Sequence, residues 1–313
     1  MAIHALSQHF ARFFPGINPR RSFEQTAARE HAAITSLIEN RFGPAGDLEP
    51  HCFLQGSYRQ ETAIYSINDV DIVALCALWQ PGSGSGGGRS WSRDDIFAAV
   101  ARAIAADRRF APYVAYRPNS MVIKVHLDIK VEVLPVVFKA GNYDADSEPF
   151  RLYRPEQGEW EDGFARYHQY LLSRKNAPNA TGGNFKPMIK VLKHLRERFG
   201  LEAVSFHLEC LLYSLPDRVF RGGPADYVSN VLGAIAADGA NEGYSRYLWT
   251  PCHDRDVFTA AEWSWESWAV FHKRVVEMAE IATIAAETDD LSLAIRAWRA
   301  LLGNEYFPAR VAT

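Results

Sequence analysis

The chain has 313 residues, with 34 Lys+Arg against 37 Asp+Glu and a formal net charge of -3. That balance argues against a dedicated binder of duplex nucleic acid, which needs a strongly basic face, although a local basic groove stays open. Apolar residues make up 48% of the chain, enough for one large or two closely packed domains, and no stretch approaches the ~20 consecutive apolar residues that span a bilayer. Cys52, Cys76, Cys210 and Cys252 are scattered without a C-x-x-C pair, so neither a disulfide framework nor a zinc site is expected. A reduced, cytoplasmic setting is the default. The opening MAIHALSQHFARFFPG has no long apolar core and no small-residue cleavage site, so export is not expected.

After a short opening helix, SFEQTAAREHAAITSLIENRFG predicts a long amphipathic helix, with Ser22 as N-cap and Gly43 as its stop. CFLQG reads as a short strand ending at Gly56, and DVDIVALCAL as a buried strand from Asp69. Residues 81–90, PGSGSGGGRS, are too glycine-rich to hold one conformation and predict a mobile loop. Ser92 can cap a helix over RDDIFAAVARAIAADRRF. Beyond it, MVIKVHLDIKVEVLPVVF alternates: Val125, Leu127, Ile129, Val131 and Val133 form one face, and His126, Asp128, Lys130 and Glu132 the other, as in a half-buried strand. From about residue 160 the pattern turns helical, through GNFKPMIKVLKHLRERFG and VSFHLECLLYSL. The segment from Ser264 to Glu287 adds an apolar seam of Trp268, Phe271, Val275, Met278, Ala282 and Ala285. The first half alternates strands and helices, which indicates an α/β or α+β core, and the second half is helical.

Asp69 and Asp71 lie two positions apart in an apolar strand, so both project from the same face and should repel unless something positive joins them. Paired carboxylates that bridge two divalent cations are the arrangement of two-metal phosphoryl transfer, and hard oxygen ligands suit magnesium or manganese. A third carboxylate from a neighbouring strand would be Asp128 or Glu132, of which only one can reach the metals, since they stand roughly 13 Å apart along a strand. Upstream, Gly56 lets backbone N–H groups approach a phosphate, and Ser57 adds a hydroxyl donor.

A glycine–serine pair, a spacer, D-x-D and a distant third acid resemble the nucleotidyltransferase superfamily with the polymerase-β-like fold. Within it the chain is most similar to the cGAS/DncV-like nucleotidyltransferases of bacterial antiphage signalling. KVEVLPVVF resembles the family's third-acid strand and places Glu132 rather than Asp128 at the metal. The family's acid is usually aspartate. NFKPMIKVLKHLRERFGLEAVSFHLE resembles its helical pair, with Lys193 and Ser205 on the bound nucleotide, and AWRALLGNEYFP its closing motif. Each residue also has a plainer reading. Lys193 stands in a stripe with Lys186 and Lys190 where lysines are ordinarily solvated, Ser205 fits a helix N-cap, and Glu132 could pair with Lys130 or Lys139.

The resemblance implies a mixed α+β fold: a catalytic domain over residues 1–158, with a core sheet and a long N-terminal helix, and a helical lobe over 159–313 closing over nucleotide. Gly56 and Ser57 would seat the donor triphosphate. Asp69, Asp71 and Glu132 would hold two Mg2+ (or Mn2+) ions. ATP and other nucleoside triphosphates would be joined into a cyclic di- or oligonucleotide read by a separate effector protein. The family also leaves room for a regulatory protein partner. No Cys/His zinc insertion is present in the sequence, so activation by duplex DNA is not expected. Two other readings stay open: nucleotide transfer to an RNA 3′ end, a small molecule or a protein, and a catalytically idle nucleotide-binding regulator.

Overall fold

The computed structural model describes residues 2–42, 51–76, 92–117, 120–138, 149–155, 158–237 and 247–310. Gly43 and the glycine-rich segment 81–90 lie outside them. In chain order come α1 (Ala2–Gly16), α2 (Arg21–Phe42), β1 (His51–Gln55), the single turn α3 (Gly56–Arg59), β2 (Asp69–Cys76) and α4 (Arg93–Ala105). Strands β3 (Val114–Ala115), β4 (Ile123–His126), β5 (Lys130–Phe138), β6 (Phe150–Arg154) and β7 (Glu159–Gly163) follow. The remainder is helical: α5 (Ala165–Lys175), α6 (Phe185–Phe199), α7 (Ser205–Ser214), α8 (Pro224–Ala237), α9 (Trp265–Glu287) and α10 (Leu291–Leu302). The fold is mixed α+β.

Two compact units interleave along the chain. One comprises Pro19–Glu61 and Ser66–Gln169, the other Met1–Asn18, Thr62–Tyr65 and Tyr170–Thr313. This differs from a single cut at 158/159. Helix α1 departs from the sheet-bearing unit because its apolar stripe, Leu6, Phe10 and Phe13, is buried in the helical core.

In the sheet-bearing unit the strand order is β1-β2-β5-β4-β3, with β6 on β5 and β7 on β6. The β2–β5 pair is parallel and the other pairs are antiparallel. The first half of one β5 edge takes β4, pairing Val125 with Val131, and the second half takes β6, pairing Val137 with Arg151. Side-chain alternation divides β2 cleanly. Val70, Ile72, Ala74 and Cys76 pack with Ile34 and Ile38 of α2 and with Ile96, Phe97 and Val100 of α4. Val73 and Leu75 pack on the other side with Leu134, Val136 and Phe150. Asp69 and Asp71 share that second side by parity.

The alternating stretch 121–138 is two strands rather than one. Leu127, Asp128 and Ile129 turn the chain, with the Leu127 N–H donating to the Ile129 carbonyl at 3.1 Å. Alternation survives because the hairpin register pairs odd with odd, Ile123 with Val133 and Val125 with Val131, so both strands bury the same parity. Ser92 caps α4 through a full capping box with Asp95. Ser22 does not cap α2: the helix begins at Arg21, and the Glu24 N–H already donates to the Arg20 carbonyl at 3.1 Å.

In the helical unit, α6 ends at Gly200, whose φ of 61° is the left-handed conformation a helix stop favours. Ser264 caps α9 by accepting from the Ser267 N–H, and the predicted α9 seam is buried from Trp268 to Ala285. Among the described residues, no helix is long and apolar enough to cross a membrane.

Candidate active site

Strand pairing assembles the acids. Asp71 stands opposite Gln55 on antiparallel β1 and beside Glu132 on parallel β5, and Asp69 lies beside Lys130. Gly56 follows Gln55 directly, with φ +71°. A Cβ built there would lie 2.0 Å from Asp71 Oδ2. Only glycine permits this backbone turn to approach the second aspartate so closely. Ser57 is the next residue, half-buried in α3. Asp128, by contrast, is exposed at the β4–β5 turn. Register therefore puts Glu132, not Asp128, next to the D-x-D pair.

A lysine sits among the carboxylates. Lys130 Nζ lies 3.1 Å from Glu132 Oε1 and 3.7 Å from Asp69 Oδ2, and Lys124 Nζ is 3.6 Å from Glu132 Oε1. The plainer pairing of Glu132 with Lys130 is thus present, with Lys124 as its second partner. Among the described residues, no three Asp, Glu, His or Cys side chains converge as a ready-made metal cage, because Glu132 is turned toward the two ammonium groups. The signal that marks Lys130 was in the sequence: it lies two residues before Glu132, on the same face of one strand.

The Asp71 carboxyl is pushed up from 3.8 to about 7, first by burial and then by repulsion from Asp69 and Glu132, with Lys130 pulling it partly back. Burial alone would lower the Lys130 ammonium, but its bond to Glu132 and the charges of Glu132, Asp69 and Asp71 raise it instead. The cluster thus gathers three carboxylates beside two ammonium groups. Hard carboxylate oxygens and a carboxyl that resists ionising are donor chemistry that could hold a hard divalent cation.

A carboxyl whose native pKa exceeds its unfolded one withdraws stability as it ionises. Between pH 4 and 7 the folded protein keeps the proton that the unfolded chain has lost, so the Asp71 contribution falls as pH rises, by a few kcal/mol at most. Melting temperatures of the wild type are accordingly expected to drop relative to Asp71→Asn between pH 5 and pH 8. Magnesium chloride at pH 8 should reverse the drop. A difference that stays flat with pH would contradict the buried charge. At Gly56, alanine meets both the Asp71 oxygen and a left-handed φ that costs a side-chain-bearing residue about 1–2 kcal/mol. Gly56→Ala should retain the fold by circular dichroism while initial rates of nucleotide turnover fall about a hundredfold.

Lys193 and Ser205 lie in the helical unit and are placed otherwise than their motif suggests. Lys193 is not solvated: its side chain is 2% exposed, and its Nζ bonds Glu209 Oε1 at 2.9 Å and Thr62 Oγ at 3.2 Å. Ser205 is the first residue of α7 rather than its cap, a position Val204 takes, and its Oγ accepts from Arg196 Nη1 at 3.2 Å. Tyr65 stacks on Tyr306, with ring centroids 5.1 Å apart, and Tyr58 packs edge-on against Phe23.

A mixed sheet with D-x-D on one strand, a third acid on its parallel neighbour and a glycine–serine turn against the second aspartate is the core of a nucleotidyltransferase. Residues 5–176 match the Second Messenger Oligonucleotide or Dinucleotide Synthetase domain, and residues 172–280 match the cGAS/DncV-like nucleotidyltransferase C-terminal helical domain. The chain belongs to the second messenger oligonucleotide or dinucleotide synthetase family. The cyclic UMP-AMP synthase of Rhodothermus marinus (strain SG0.5JP17-172) is 26% identical over 228 residues, 66% of this chain and 77% of that protein. Among solved structures, Rhodothermus marinus CdnE c-UMP-AMP synthase with Apcpp and Upnpp has a TM-score of 0.65 at 20% identity, covering 88% of this chain and 95% of that one. Vibrio cholerae DncV cyclic AMP-GMP synthase with the linear intermediate 5' pppA(3',5')pG has a TM-score of 0.69 at 10% identity, covering 96% and 95%. Both share this fold. The chain is accordingly a nucleotidyltransferase of the class that makes cyclic nucleotide second messengers.

Proposed function

We propose that this chain joins nucleoside triphosphates, ATP among them, into a cyclic di- or oligonucleotide, with Asp69, Asp71 and Glu132 as the acids that carry the chemistry. The reading is supported above all by the β2–β5 register, which makes Asp71 and Glu132 neighbours on one sheet face. These three residues would hold two magnesium or manganese ions, whose chemistry when bound is to neutralise the triphosphate and acidify the attacking ribose hydroxyl. The Gly56 backbone and the Ser57 hydroxyl seat the donor triphosphate through N–H and O–H donors. The hydroxyl oxygen bonds the α-phosphorus, the bond to the leaving oxygen breaks, and pyrophosphate departs. A second, intramolecular attack of the same kind closes the ring. The linear intermediate held by Vibrio cholerae DncV supports that two-step order. In this reading Lys130 is a counter-charge within the acid cluster. The product is a signal in antiphage defence, made in the cytoplasm and read by a separate effector protein.

The test is to incubate the purified protein with the four nucleoside triphosphates and magnesium, treat with phosphatase and analyse by mass spectrometry. Phosphatase-resistant cyclic species are expected. Products that form only when an RNA or other acceptor is added would replace this reading with transfer to that acceptor. Binding without turnover would leave a regulator.

A further inference from the structure

Between the glycine–serine turn and the D-x-D pair the chain makes a detour. Gly56–Glu61 and Asp69–Asp71 belong to the sheet-bearing unit, whereas Thr62–Tyr65, which connect them, belong to the helical unit. The departure is marked by strain: Glu61 has φ 60°, a left-handed conformation that side-chain-bearing residues adopt only when their surroundings compel it. Beside it Gln60 is buried, and its Oε1 has no hydrogen-bond partner among the described residues.

What compels the backbone comes one residue later. Thr62 is fully buried, its hydroxyl donating to Glu209 Oε1 at 3.1 Å and accepting from Lys193 Nζ at 3.2 Å. Lys193 and Glu209 pair at 2.9 Å, with side chains only 2% and 6% exposed. At the far end of the detour, the Tyr65 N–H donates to the Ile17 carbonyl at 3.0 Å, and the ring stacks on Tyr306. For stability alone a buried ion pair is a poor choice, because apolar residues of similar volume usually serve as well or better. What the pair provides that apolar residues cannot is a directional hold on a hydroxyl.

We propose that Thr62, Lys193 and Glu209 are positioning residues, a buried clamp that pins the connection between Gly56–Ser57 and Asp69 and so sets the donor-phosphate turn. The proposal rests on the function given above.

Three variants test it: Thr62→Val keeps the shape and removes the hydroxyl, Thr62→Ser restores the hydroxyl, and the double Lys193→Met/Glu209→Leu removes both charges at similar volume. For each, kcat and KM for ATP are measured alongside the Kd of a non-hydrolysable ATP analogue by calorimetry and the melting temperature. Thr62→Val and the double variant are expected to raise KM and Kd about fivefold or more, with kcat changed less and the double variant melting near the wild type, while Thr62→Ser stays near wild type throughout. A purely structural role would move melting temperature and leave KM and Kd of the folded protein unchanged; wild-type KM and Kd in both altered proteins overturn the proposal. If the wild type binds the analogue but forms no product, the function given above fails, and the Kd series still decides the clamp. Absence of binding by the wild type overturns both.

Discussion

Asp71→Asn is expected to lower cyclic-product formation by roughly a thousandfold or more, because it removes a carboxylate from the place where the β2 acids and Glu132 meet. The amide is nearly isosteric, so the sheet need not move, and the substitution also removes a carboxyl held up to about 7 by burial and by its acidic neighbours. Loss of activity should therefore coincide with a melting temperature at pH 8 that is unchanged or higher. Asp69→Asn should show the same loss of activity. Its side chain is 39% exposed, so its effect on stability should be smaller. Product formation within tenfold of wild type by mass spectrometry in either variant would remove these acids from the chemistry.

Lys193→Met alone is the second large effect, and it falls on stability. The substitution leaves the Glu209 carboxylate, 6% exposed, without the Lys193 ammonium, while the Thr62 hydroxyl still donates to it. Breaking a buried pair from one side costs about 3–5 kcal/mol, against a total stability of the order of 5–15 kcal/mol for a domain. A drop in melting temperature on the order of 10 °C should follow. Adding Glu209→Leu to the same chain should recover most of it, since the orphaned charge is then gone too. A single variant that melts within two degrees of wild type would show that the pair is not desolvated as its burial indicates.

How much of this could be read from the chain differs element by element. The D-x-D strand was legible because a period of two with acids on one parity survives any context, and Glu132 was singled out over Asp128 by its motif, with which the register agrees. The α4 cap at Ser92 was legible because it depends on local chemistry alone. The β4–β5 hairpin was not, because a tight turn that preserves parity leaves an alternating pattern intact. Strand β7, Glu159–Gly163 with sequence EWEDG, carries too little apolar content to announce itself, and only pairing with β6 makes it a strand.

Lys193 misled for a different reason. Its stripe with Lys186 and Lys190 reads as a solvated helix edge, yet α6 is buried at Met188, Ile189 and continuously from Val191 to Leu195. The cover at Lys193 includes Thr62 and Glu209, remote in sequence, and no local periodicity reports such neighbours. Membership of Thr62–Tyr65 in the helical unit is equally a matter of long-range contacts.

The docking of α1 carries a consequence for the order of synthesis. Phe10 packs edge-on against Trp298 and Phe307 at 5.1 Å, and His9 Nδ1–H donates to the Pro308 carbonyl at 2.7 Å, across a separation of 299 residues. A nascent chain thus carries an amphipathic helix whose binding groove does not yet exist, while the described strands of the sheet-bearing unit have emerged once residue 163 is made. The helical unit can close only when translation reaches the segment after α10, so until then the Phe10 stripe is exposed to aggregation or to chaperones on the ribosome.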